Sequence, residues 1–267
     1  MVESFKTALR ESNMAENTIS AYVYAVNYYF SKHKTLNKRN LLLYKANLIE
    51  QFRPKTVNLR IQALNKFLEH VGKPKLRLKS VKVQQRSYLE NVISQADYIF
   101  FKKKLKQEEN LMWYFVVRFL TATGARVSEL IQIKVEHVRI GYFDIYSKGG
   151  KVRRLFIPKR LRDEAEKWFE ETQQTTGYIF RNRFGERVST RGIAQQLKNY
   201  AERYGLNTNV VYPHSFRHRY AKNFLEAFND IALLADLMGH ESIETTRIYL
   251  RRTASEQQTI VDKVITW

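Results

Sequence analysis

The sequence predicts a mainly helical protein of two domains, the second of them α+β, with a small antiparallel sheet set among helices. Three observations predict this. Apolar residues recur at helical spacing in two stretches near the N-terminus. A basic stretch without periodicity, Lys73 to Arg86, then separates those stretches from the rest of the chain. Finally, two short β-prone runs flank Lys148-Gly149-Gly150-Lys151 in an otherwise helical second part.

Taken in order, Ile19, Tyr22, Val23, Val26, Tyr29 and Phe30 mark a first amphipathic helix within Asn13 to His33. Asn13 followed by Glu16 three residues later reads as its capped start. Leu41 to Phe52 is expected to be helical. Val57, Ile61, Leu64 and Leu68 form the stripe of a helix from Lys55 to His70, with Pro54 before it and Gly72 and Pro74 after it. Helical patterns return at Ile93 to Lys106, Leu111 to Thr121 and Val127 to Ile133. Tyr142 to Ser147 and Val152 to Ile157 read as a hairpin around the Lys148-Gly149-Gly150 turn. From Lys159 onward helices dominate, ending in one from Ala254 to Trp267 with Ile260, Val261, Val264 and Ile265 on one side.

Composition narrows the function. The 267 residues include 46 Lys and Arg against 26 Asp and Glu, a formal charge of +20, and this calls for a polyanionic partner, nucleic acid first. Residues 1–85 are the more densely basic part. There is no cysteine, so no disulfide framework or Cys-based zinc site is available, and six scattered His offer little else for a transition metal. No metal or cofactor is expected. No run of 18 consecutive apolar residues occurs and the N-terminus lacks a leader pattern, so a soluble, cytoplasmic protein is expected.

Five separated settings carry the chemistry: Thr123-Gly-Ala-Arg126-Val-Ser-Glu129-Leu, the Lys148-Gly-Gly turn, His214-Ser-Phe-Arg217-His218-Arg, Leu237-Met-Gly-His240, and Tyr249 nine residues after His240. Each alone is an ordinary peptide. In this order and spacing they resemble the tyrosine recombinase, or phage integrase, family. The resemblance covers nearly the whole chain. It implies an N-terminal helical SAM-like core-binding domain at 1–75, a basic linker at 76–88, and a helical catalytic domain with a small antiparallel sheet at 89–267, closed by a C-terminal docking helix. Two departures from the family pattern stand out: Phe216 and Arg219 stand where Leu and a small hydroxyl residue are commoner, and Leu-Arg-Arg follows Tyr249.

DNA cleavage by transesterification needs a nucleophile, charge stabilisation of a pentacoordinate phosphorane, a proton donor for the 5′ oxygen and a base. Without metal, guanidinium groups suit the second task, because their planar fork fits two phosphate oxygens and their charge does not titrate away. Arg126 and Arg217 are the expected clamp. Arg126 follows a Gly turn, which also puts it near a helix N-terminus favourable to an anion. Glu129, three residues on, is a candidate ion-pair partner; the resemblance gives it an orienting role behind the catalytic groups. His214 lies one helical turn before Arg217, and by resemblance is a general acid-base residue. His218 competes with it and matches the family's more structural second His. The resemblance makes Lys148 the donor to the leaving oxygen, His240 a hydrogen-bonding partner of the phosphate, and Tyr249 the nucleophile of a 3′-phosphotyrosyl intermediate.

The expected function is therefore site-specific recombination of double-stranded DNA, by a homotetramer on synapsed sites that is monomeric or weakly associated when free. Integration or excision of a mobile element and resolution of chromosome dimers are both open roles. A type IB topoisomerase shares the chemistry, and a non-catalytic DNA-binding protein is a third reading.

Overall fold

The computed structural model describes residues 1–83, 91–146, 152–240, 242–250 and 254–265. The chain divides into two compact units, 1–85 and 86–267.

Unit 1 is built from α1 (Val2–Glu11), α2 (Glu16–Phe30), α3 (Lys38–Gln51) and α4 (Pro54–His70), followed by a 3₁₀ turn at Pro74–Leu76. The predicted stripes of α2 and α4 face one core, which Phe5 and Leu9 of α1 complete, Phe5 meeting Phe67 edge-on at 5.2 Å. The helix α1 escaped the periodicity reading, because Phe5 and Leu9 are its only buried apolar positions. Asn13 does not cap α2. It takes a left-handed φ of 54° just beyond α1, and Ala15 occupies the N-cap of a helix that begins at Glu16. Here an Asn favoured as a cap serves instead the other conformation it tolerates without strain.

After Gly72 the chain turns back along α4. Asn65 pairs its side-chain amide with both backbone groups of Leu78, at 2.8 and 2.9 Å, and Asn58 does the same with Val81, at 2.8 and 3.0 Å. Two helical Asn thus replace a neighbouring strand. Residues 76–83 of the expected linker consequently lie on unit 1, with Leu78 in its core, and 84–88 lie outside the described residues.

Unit 2 opens with α5 (Gln95–Gln107), α6 (Leu111–Thr123), α7 (Val127–Leu130) and α8 (Val135–Ile140). The antiparallel strands β1 (Tyr142–Tyr146) and β2 (Val152–Phe156) follow, paired Tyr142 to Phe156 through Tyr146 to Val152. Next come α9 (Lys159–Glu171), α10 (Thr190–Arg203), α11 (Pro213–Ala227), α12 (Ile231–Met238), α13 (Ile243–Arg247), a 3₁₀ turn at Ile248–Leu250, and α14 (Ala254–Val264). The apolar α6 runs through the main core against α11, and Phe119, Phe180 and Phe216 are fully buried. Phe216, one of the two unusual residues in the His214 to Arg219 box, is thus a core residue. The other, Arg219, is buried and donates from Nε and Nη2 to the Ile93 carbonyl, while Ser215 accepts from the Ile93 N–H at 2.7 Å. A smaller cluster of Ala221, Leu225, Leu234 and Met238 holds Tyr249. Among the described residues, no helix is long and apolar enough to cross a membrane.

Candidate active site

Arg126 stands at the N-cap of α7 because Gly124, in a left-handed conformation with φ 63°, stops α6 and reverses the chain. A side chain at position 124 would run into the Tyr220 ring, so the turn requires glycine twice over. The helix end is not an open anion site. Glu129 takes the Arg126 backbone N–H at 2.7 Å through one carboxylate oxygen and the Arg126 Nη1 at 2.8 Å through the other. The Arg126 N–H is thus taken, while its guanidinium stays part exposed, with Nη2 reaching the Gly239 carbonyl at 3.1 Å.

Arg217 projects from α11 into the same space and is 2% exposed. Its Nη1 donates to the Gly124 carbonyl, and its Nη2 donates to the Met238 carbonyl at 2.7 Å and faces His240 Nε2 at 3.2 Å. Burial, then the nearby Arg126 charge, pushes the Arg217 guanidinium down to about 10, so it stays cationic at neutral pH but costs free energy to hold there. His240 Nδ1 lies 2.7 Å from the buried Thr246 hydroxyl. Because a guanidinium only donates, His240 Nε2 accepts here and Nδ1 carries the proton toward Thr246. Burial, then Arg217 and Arg126, depresses His240 to about 4, consistent with a neutral ring.

Tyr249 lies on the 3₁₀ turn, 6% exposed, with its ring stacked on His240 at 6.3 Å between centroids. Burial raises its phenol, and the Arg217 charge and hydrogen bond partly offset that. Its hydroxyl lies 3.1 Å from Nδ1 of His218, not of His214. His214 is exposed at the rim, its ring 6.4 Å from that of His218, and its proton affinity is lowered by partial burial, Arg217 and Arg126. Lys148 lies outside the described residues.

Sequence reasoning passed over Arg153. It sits on β2 with its side chain buried, paired to Glu129 Oε2, with Nη1 donating to the Leu237 carbonyl at 2.7 Å. The signal was available: β2 alternates, and Arg153 shares the buried face with Leu155 while Val152, Arg154 and Phe156 face out. A charge on the buried face of a strand needs a partner. Burial alone would raise the Glu129 carboxyl, but Arg153 and the hydrogen bonds of Arg126 outweigh it and hold the group below its usual range. Two guanidinium groups, those of Arg126 and Arg153, thus share one carboxylate, with the Arg217 charge nearby. The remaining positive charge opens onto a groove of about 1060 Å³ lined by Arg126, Arg153, His240 and Thr245, which suits a single phosphodiester.

Known proteins resemble this chain in sequence and in fold. The model of the phage integrase family matches residues 89–256. Tyrosine recombinase XerA of Pyrococcus furiosus is 28% identical over 98% of this chain and 93% of its own length. Tyrosine recombinase XerD of Listeria monocytogenes is 26% identical over 91% and 90%. Among solved structures, a lambda integrase dimer bound to a core site has a TM-score of 0.73 at 14% identity, covering 93% of this chain and 75% of that one. The Tn1549 transposon integrase with transposon right-end DNA has a TM-score of 0.72 at 12% identity, covering 99% of each chain. At such identities the structures show a shared fold, whereas the family match extends over more than half of the sequence and spans Arg126, His214, Arg217, His240 and Tyr249. The chain belongs to the phage integrase family, and it is a site-specific tyrosine recombinase acting on DNA.

Proposed function

We propose that this recombinase cuts one strand of duplex DNA by attack of Tyr249 on a phosphodiester clamped between Arg126 and Arg217. The strand is then held as a 3′-phosphotyrosyl ester until a 5′ hydroxyl from a partner duplex displaces the tyrosine. The observation that carries this reading is that four separate elements bring together Arg126, Arg217, a neutral His240 and a buried tyrosine hydroxyl, with Arg126 and His240 lining an open groove. The ester conserves the energy of the original bond, so religation needs no nucleotide. Arg126 and Arg217 stabilise the charge that builds on the non-bridging oxygens. Glu129 and Arg153 hold Arg126, His214 reaches the phosphate from the rim, and Lys148 protonates the leaving 5′ oxygen.

Residues 1–75, with the strongly basic tract that follows, would grip the duplex next to the cut. Four copies would exchange strands on two synapsed sites in the cytoplasm, with α14 docking on a neighbouring subunit. Exposure of Val261, Val264 and Ile265, at 50, 55 and 48%, supports that docking. The near full-length match to proteins named tyrosine recombinases favours this over a topoisomerase.

The experiment uses a nicked duplex carrying the site that the Tyr249→Phe chain selects from a randomised library. Wild type should trap a covalent adduct that maps to the Tyr249 peptide, and Tyr249→Phe should bind without trapping one. An adduct of normal yield from Tyr249→Phe would refute the assignment.

A further inference from the structure

We propose that His218, not His214, is the proton acceptor for the Tyr249 hydroxyl during strand cleavage, an inference that rests on Tyr249 being the nucleophile. Both histidines lie on α11 one turn apart, so spacing along the chain cannot rank them. The hydrogen bond does: His218 Nδ1 is 3.1 Å from the phenol oxygen, with the rings 5.4 Å apart, whereas His214 is exposed.

The tautomer sets the direction: with the His218 proton on Nε2, the free Nδ1 accepts from the phenol O–H. The ring is suited to receive: burial, followed by His214, Arg217 and His240, depresses it to about 4, so it is neutral wherever the enzyme works at neutral pH. A bound phosphodiester brings negative charge beside the ring and raises its proton affinity at the moment of attack.

The step balances. As the phenol oxygen forms its bond to phosphorus, its proton moves to His218 Nδ1. The bond from phosphorus to the 5′ oxygen breaks, and that oxygen takes a proton from the general acid, the role given above to Lys148. Religation runs the same transfers backwards, with the His218 imidazolium returning its proton to the departing phenol. His214 is left free to donate to a non-bridging oxygen from the rim.

The test uses the full chain on the same nicked duplex. Loss of a general base commonly costs a hundredfold or more, so His218→Gln should cleave at least about a hundredfold more slowly while binding as wild type does. Replacing Tyr249 with the more acidic difluorotyrosine should restore most of that loss in His218→Gln and little in His214→Gln. A bridging sulfur in place of the 5′ oxygen, which leaves without protonation, should rescue Lys148→Ala but not His218→Gln. Equal responses of the two histidine variants to difluorotyrosine, or normal cleavage by His218→Gln, would overturn the proposal. His218→Asn, which sets an amide where Nδ1 was, carries the same comparison if the glutamine variant does not fold. If instead the wild-type adduct maps to a tyrosine other than Tyr249, the nucleophile is misassigned and both readings fall together.

Discussion

The Arg153 side chain passes directly beneath Gly239, so that a β-carbon at position 239 would lie 2.4 Å from Arg153 Cδ and 2.8 Å from Nε. Gly239 closes α12 in a left-handed conformation with φ 61°, and its carbonyl receives Arg126. This one glycine therefore lets the β2 strand, the Arg126 turn and the His240 loop approach each other. Gly239→Ala should incur the left-handed penalty of about 1–2 kcal/mol and also displace Arg153. Thermal unfolding should report the first effect and cleavage rate the second; wild-type cleavage by this variant would show that the close approach is dispensable.

Arg153→Met tests the same contact from the other side. Removing one member of a buried pair commonly costs about 3–5 kcal/mol, because Glu129 is left without its Arg153 partner in a buried position. Arg153→Lys should recover part of the stability, since it restores the charge but not the fork that spans Glu129 and the Leu237 carbonyl. Unfolding in denaturant is the measurement. Full recovery by Lys would reduce Arg153 to a simple counter-charge.

For the clamp, Arg126→Ala and Arg217→Ala should differ. Both remove a donor aimed at the transition state, a contribution worth about 3 kcal/mol or more, so single-turnover cleavage should fall a hundredfold or further with little change in affinity. Arg217→Ala should destabilise the fold more, because it orphans the buried carbonyls of Gly124 and Met238, whereas Arg126 is part exposed and leaves Glu129 its Arg153 partner. Cleavage that merely tracks affinity would reduce both arginines to backbone anchors.

The helices and the strand pair were legible because they are written locally: the stripe of α4, and the β-prone runs at Tyr142–Tyr146 and Val152–Phe156 on either side of two glycines, are short-range patterns. The positions of Arg126, Arg217, His240 and Tyr249 were legible through spacing within boxes. What spacing cannot express is which atoms meet across the fold. His218 and Tyr249 are 31 residues apart and their contact depends on how the 3₁₀ turn packs on α11. Arg153 announced itself only through its strand face. Asn58 and Asn65 lie outside the apolar stripe of α4, and nothing local shows that residues 78–81 fold back to meet them. The Asn13 cap failed for a related reason: an Asn favoured at a helix start is equally at home in the left-handed turn that ends α1.

Stability should fall on mild acidification before any carboxylate titrates. His218 and His240 are both depressed to about 4 in the folded chain, from an unfolded value near 6.5. Between those values the unfolded chain binds more protons than the folded one, so stability rises with pH and is lost as pH drops from about 6.5 toward 4. Each ring contributes at most about 1.4 kcal/mol per pH unit in that window. Glu129, held below its usual range, adds a further loss only below about 4.5. The His218→Gln chain should show a shallower slope over this window in urea unfolding followed at several pH values. An unchanged slope would mean that His218 is protonated in the fold.

The pairing of Asn58 and Asn65 with the backbone of Val81 and Leu78 makes a last prediction about DNA binding. Each amide satisfies one N–H and one carbonyl of the returning chain, so residues 78–81 are held in place without a neighbouring strand. Lys79 and Lys82 on this segment are exposed. Asn58→Ala with Asn65→Ala should therefore leave α4 intact, cost about 1–2 kcal/mol for each amide pairing removed, and raise amide exchange at Leu78 and Val81. The cations remain, so the slope of affinity against salt should stay near that of wild type, while affinity itself falls because the segment must be ordered on binding. Lys79→Ala with Lys82→Ala should do the reverse in one respect, flattening the slope by up to about 0.9 for each phosphate no longer neutralised, with exchange at Leu78 and Val81 unchanged. If the asparagine variant binds as tightly as wild type at every salt concentration, the ordering of this segment serves the fold of unit 1 and not the grip on DNA.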